Sequence, residues 1–195
     1  MANYNAIKYD GFSKGSLTLI KTLTADEDAN LSFVDGTSSV VLDSTYKEYI
    51  FILNIHVQTE GQLNMFFRDG GTDFDAVCTT SNFSAYHAED GSATSLYNEG
   101  DVDVAQGSTV PLIRNPGADS ADSSAVVIMH LFNPSDTTFV KHFLATDAYS
   151  YGSSYGSFSD RKGGYVNTTT AIDGVKFQMA SGNIDAGTIQ LFGLA

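Results

Sequence analysis

Apolar and polar residues alternate along most of this chain, and the three-to-four spacing of an amphipathic helix is nearly absent. A period of two places successive side chains on opposite faces of a strand, so the pattern predicts an all-β protein. Ser16 to Thr24 alternates in this way. Asn30 to Val34 and Ser39 to Leu42 flank Asp35-Gly36, a tight-hairpin signal. Lys47 to Gln58 is the longest expected strand. Tyr49, Phe51, Leu53, Ile55 and Val57 share one face, and Ile50, Ile52, Asn54 and His56 the other, which suggests a central strand covered on both sides. Gln62 to Arg68 and the shorter Asp75 to Thr80 follow.

The alternation weakens between Ser81 and Ser108, which reads as a long excursion over the surface with room for a short helix between Ala85 and Tyr97. It returns at Thr109 to Arg114, in the nearly continuous apolar run Ala125 to Phe132, and at Thr138 to Thr146. Gly164 to Thr169, Val175 to Met179 and Gly187 to Leu194 complete the set. About ten or eleven short strands with turn residues between them suggest a sandwich or barrel. The long connections favour an antiparallel β-sandwich, specifically a jelly-roll. Residues 1–15 are polar with spaced aromatics and read as an N-terminal arm or linker, and residues 16–195 read as the sandwich domain.

Composition narrows the function. The 195 residues are 42% hydrophobic, enough for one packed core. The formal net charge is −13, and the 10 Lys and Arg residues are scattered. Nucleic-acid binding needs clustered cations to displace counterions from phosphates, so it is not expected. Neither is docking on an anionic membrane. No apolar run approaches a membrane span, and the N-terminus lacks a secretion signal, so synthesis in a cytoplasm is expected. The single cysteine, Cys78, can form no intrachain disulfide and sits in an apolar context.

Catalytic patterns fare poorly. Gly152-Ser153-Ser154-Tyr155-Gly156 matches the nucleophile-elbow spelling, but its flanks have turn composition and no histidine follows Ser154. His56, His87, His130 and His142 show no metal-ligand spacing. Asp69, Asp73 and Asp75 lie in a Gly-rich loop whose hard oxygens make a weak calcium candidate, although the loop lacks the EF-hand register. No cofactor is expected, and the chain is not expected to be an enzyme. One segment has the composition of a binding loop. Tyr149 to Phe158 mixes Tyr, Ser and Gly, so Tyr149, Tyr151, Tyr155 and Phe158 are the candidate binding residues.

Several phrases carry a resemblance. They are Gly15 to Thr24, Tyr46 to Phe51, His130 to Ser135, Phe139 to Phe143, and Ser181 to Ile189. Through them the chain resembles small structural proteins of marine tailed bacteriophages. The resemblance implies a virion component, with capsid decoration the leading role. Its implied partners are further copies of itself, as a trimer by analogy, and virion proteins such as the major capsid protein. A tail or fibre subunit that binds host surface glycans stays open, as does a glycan-active enzyme or carbohydrate-binding module on a sandwich.

Overall fold

A computed structural model describes residues 17–57, 61–98, 100–114, 116, 124–150 and 156–195. The described residues form two antiparallel sheets that pack together as an all-β sandwich. In chain order the strands are β1 (Leu17–Asp28), β2 (Asn30–Val34), β3 (Glu48–Val57), β4 (Leu63–Arg68), β5 (Cys78–Ala88) and β6 (Thr94–Asn98). A single 3₁₀ turn, Gly100–Val102, leads to β7 (Ala105–Gly107) and β8 (Val110–Ile113). Next come β9 (Ser124–Phe132), β10 (Lys141–Ser150), β11 (Gly156–Val166), β12 (Gly174–Met179) and β13 (Ile184–Leu194).

The larger sheet has the order β1-β13-β3-β9-β10-β11-β5-β6, with β7 paired to β5. The smaller has the order β2-β12-β4-β8. The chain changes sheet where β1 meets β2, and Glu27 adopts a left-handed backbone (φ 55°) at that corner. Between the sheets Phe33, Phe51 and Phe177 form an edge-to-face trio with centroids 5.3 to 6.4 Å apart. Phe67 from the small sheet meets Phe143 of β10 at 5.3 Å. Aromatic pairs in these arrangements add to the stabilisation from area burial alone.

Strand β3 shows how alternation builds the core. Tyr49, Phe51, Leu53, Ile55 and Val57 are buried, as their spacing predicts. The opposite face is not covered: Ile50 and Ile52 are half-buried and Asn54 is exposed. Strand β9 likewise buries Ala125, Val127, Met129 and Leu131 and turns Val126 and Ile128 outward.

Two local expectations fail for identifiable reasons. Ser39 to Leu42 does not pair with β2. The Asp35 carboxylate accepts the Leu42 N–H at 2.8 Å, Val40 and Leu42 drop into the core, and β2 pairs with β12 instead. The stretch after Thr80 is neither a surface excursion nor helical. Strand β5 continues to Ala88, turns, and pairs with β6, extending the large sheet. Its inward residues include Thr80, Asn82 and Ser84, so burial here carries no hydrophobic signature.

Candidate functional site

The large sheet has one face on the core and one turned outward. Register assigns the outward face. On β3, β9, β10, β11 and β5 the directly paired outward residues form continuous rows, such as Ile50–His130–Leu144–Gly163–Ser81 and Ile52–Ile128–Thr146–Arg161–Phe83. Phe83, Val126, Ile128 and Leu144 are between 43% and 50% exposed, and Leu96 on β6 is 73% exposed. Of the outward positions on those five strands, only Glu48 and Arg161 are Asp, Glu, Lys or Arg. In a chain of net charge −13 that is a marked local depletion. A shallow depression of about 270 Å³, lined by Ile128, His130, Leu144 and Arg161 among others, lies within the face. Ile50, Ile52, Val126, Ile128 and Leu144 neighbour one another on β3, β9 and β10, and a contiguous apolar patch of this kind marks an interaction site.

All four histidines lie on this outward face. The His56 Nδ1 is 3.0 Å from the Asp185 carboxylate, and His130 Nδ1 makes a short contact with Glu48 Oε1. His142 is exposed, with its ring 6.0 Å from that of Tyr165. They are spread across the sheet. Among the described residues no group of three or more His, Cys, Asp or Glu side chains could hold a metal ion.

The calcium candidate fails on the same ground. Asp73 and Asp75 are exposed, and Asp69, Asp73 and Asp75 do not converge. The acid that organises this loop is Asp173, which receives Arg68 through two hydrogen bonds of 2.9 Å and the Gly70 N–H at 3.2 Å. Spacing could not reveal it, because Asp173 lies 105 residues from Arg68 in sequence.

The aromatic loop also requires a correction. Tyr149 is 4% exposed and Phe158 6%, and both face the core. They pair across β10 and β11, with rings stacked at 5.4 Å, and Tyr86 packs on Phe158 at 4.5 Å. These two side chains hold the hairpin to the core and offer no recognition surface. Tyr151 and Tyr155 lie outside the described residues, as does Ser154. Gly156 opens a strand, so the helix that a nucleophile elbow needs does not follow.

Beneath that hairpin lies a cluster that the sequence did not single out. Asp147, Asp160 and Lys162 are buried on the inward faces of β10 and β11, next to Asn82 and Ser84 of β5. The Asp160 N–H donates to Asp147 Oδ1 at 3.0 Å, and the Ser159 hydroxyl donates to the Asp147 carbonyl. Lys162 Nζ donates to the carbonyl of Val102 at 3.0 Å, which ties the 3₁₀ turn over the cluster. Burial pushes the Asp147 carboxyl up to about 8, and the neighbouring Asp160 charge adds to the rise. Burial draws the Lys162 ammonium below its ordinary value, opposed by Asp103, Asp160 and Asp147. With Asp147 and Asp160 7% and 4% exposed, the pair offers a substrate little to reach. It acts on the packing of the hairpin. Cys78 is fully buried and its thiol is pushed up to about 12, so it is not a poised nucleophile.

No family model matches the chain, and no curated protein matches it. Among the described residues no helix is long and apolar enough to cross a membrane.

Proposed function

We propose that this chain is a non-catalytic assembly protein of a bacteriophage particle, with capsid decoration as its role, and that the outward face of its large sheet is the surface buried on assembly. The observation that carries the assembly reading is that face, which is nearly free of Asp, Glu, Lys and Arg in a strongly acidic chain and carries an apolar patch of Ile50, Ile52, Val126, Ile128 and Leu144. Burying it stabilises a complex at roughly 25 cal/mol per Å² of apolar area, before the losses of association are subtracted.

The particle itself comes from the resemblance carried by Gly15 to Thr24 and His130 to Ser135, among other phrases. Connectivity supports it. Strands β1-β13-β3-β9 of one sheet and β2-β12-β4-β8 of the other follow the alternation of a jelly-roll, with β5 to β7 and β10 to β11 as insertions that widen one sheet. Jelly-rolls are a common solution for capsid proteins, though lectins share them. The fibre reading rests on the Tyr-rich segment, and Tyr149 and Phe158 are turned inward there.

The test is to label intact particles with a gold-tagged antibody against this chain. Label spread over the head is the expected result. Label confined to the tail moves the role to the tail apparatus. Absence from particles overturns the virion reading.

A further inference from the structure

We infer that the partner covering the outward face is a second copy of this chain, related by a twofold axis that runs through the face near His130 and Leu144. The inference rests on the reading of that face as an assembly surface and does not depend on the virion. Three observations support it.

The first is area. From β13 to β6 the face spans seven strands spaced about 4.8 Å apart, and each contributes up to about nine residues of 3.4 Å. The result is close to square, roughly 34 by 31 Å, or on the order of 1,000 Å². The twofold placement described below overlaps roughly half of it, on the order of 500 Å² from each copy and 1,000 Å² in total, which is the lower bound for a specific pair.

The second is charge. Two copies of a chain with net charge −13 repel one another over most of their surface. On the five central strands of this face one Glu and one Arg cancel, so copies can approach here without that penalty.

The third is the placement of those two charges. Glu48 pairs with Phe132 across β3 and β9. The same row crosses β10 at His142 and reaches β11 at Tyr165. Arg161 lies four residues from Tyr165 on β11, so the two charges sit three strands and about 13 Å of strand length apart. Their midpoint falls between β9 and β10 at the directly opposed His130 and Leu144, two residues in from the Glu48 end of the face. A twofold axis through that point, lying in the plane of the face and perpendicular to the line joining the charges, sets each Glu48 against the other copy's Arg161. Isologous contacts of this kind are self-complementary by symmetry. The same operation crosses the strands of the two copies near a right angle, one of the two ways in which sheets pack face to face. On or beside the axis Ile52 and Leu144 meet their own symmetry mates, and Ile50 of each copy faces Ile128 of the other. Arg161 is exposed and makes no ion pair among the described residues, so its guanidinium is free to serve.

The experiment is sedimentation of the purified chain with two charge reversals, Glu48→Arg and Arg161→Glu. The wild-type chain should sediment as a dimer. Each variant alone sets like charges against each other at both contacts and should weaken the dimer by about tenfold or more. An equimolar mixture of the two variants restores both pairs, because one copy then carries two acids and the other two bases. It should return to the wild-type mass. Recovery on mixing also rules out misfolding as the cause of the loss, since a misfolded chain would not be rescued. A wild-type monomer, a wild-type trimer, or a dimer indifferent to both reversals overturns the inference. Particle binding measured on the same samples separates the two readings. A monomer that still binds particles sinks the twofold pair alone, and a dimer absent from particles sinks the virion role alone.

Discussion

At the scale of single residues, the most consequential group is the Asp147 carboxyl. Its folded pKa of about 8 lies well above the ordinary 3.8, so the native state holds the proton over a range where the unfolded chain has released it. The stabilising contribution of that proton is complete below about pH 4 and is lost as pH rises to about 8. Asp147→Asn removes the titration and keeps an oxygen to accept the Asp160 N–H. A tenfold difference in proton affinity between the folded and unfolded chains is worth about 1.4 kcal/mol. Denaturant titrations of both proteins at pH 4.5 and 8.5 should therefore move in the variant's favour at the higher pH, by on the order of a few kcal/mol. An unchanged difference between the two pH values would show that Asp147 is ionised in the native state. At the Arg68–Asp173 pair the expectation is smaller. Asp173→Asn should cost about 1 kcal/mol in chemical denaturation, since the pair is partly exposed. Alternation over Phe143, Ala145 and Asp147 placed Tyr149 inward, so its burial was legible in the sequence, but the Tyr-Ser-Gly composition pointed the other way. The Asp147–Asp160 pairing was not legible, because it depends on the register between β10 and β11.

At the scale of elements, the sandwich depends on close contact between neighbouring strands. Gly187 shows it best. Its φ is +116°, and a Cβ there would sit 2.2 Å from the Asn54 carbonyl oxygen on β3, beside the β13 irregularity at Ile184 to Ala186. Gly187→Ala should destabilise the fold by about 3 kcal/mol or more in thermal or denaturant unfolding, because both the backbone and the neighbouring strand must move. Phe143→Ala tests the link between β10 and the small sheet, and the loss of a buried ring against Phe67 should cost about 3–5 kcal/mol. Strands β3, β4, β8, β9 and β12 were readable within a residue or two, because each alternates or runs apolar against the core. Strand β5 was not, because its inner face is built from Thr80, Asn82 and Ser84. There polar contacts replace apolar burial: Asn82 donates to Ser84, and Thr80 exchanges hydrogen bonds with Val104, while the Asn82 Oδ1 is buried without a hydrogen-bond partner among the described residues.

For the whole molecule, the asymmetry between the two faces of the large sheet is the feature that matters. The inward face is a closed core, and the outward one is open, with exposed apolar side chains such as Val126, Ile128 and Leu144. Substitutions there should separate stability from association. Ile128→Ser and Leu144→Ser should leave the unfolding midpoint nearly unchanged, within roughly 0.5 kcal/mol for side chains already about 43% exposed, while lowering self-association sharply in sedimentation. A large fall in the unfolding midpoint would mean that these residues serve the monomer's own packing.

The sequence by itself determined the class of fold and the inward half of most strands. Period-two alternation follows directly from strand geometry, and an apolar inner row is favourable wherever a second sheet is present. It also determined the acidity that makes an uncharged face conspicuous. Which strands are neighbours was decided only in three dimensions. Register between distant segments brings Asp173 to Arg68, sets Asp147 beside Asp160, and aligns Glu48 and Arg161 across one face. Such pairings are long-range contacts, and no local pattern encodes them. The outward apolar residues of β9 were visible as part of a continuous run, yet nothing local distinguishes a strand buried on both faces from one that leaves a face for a partner. That distinction depends on what packs against the sheet, a property of the tertiary structure alone.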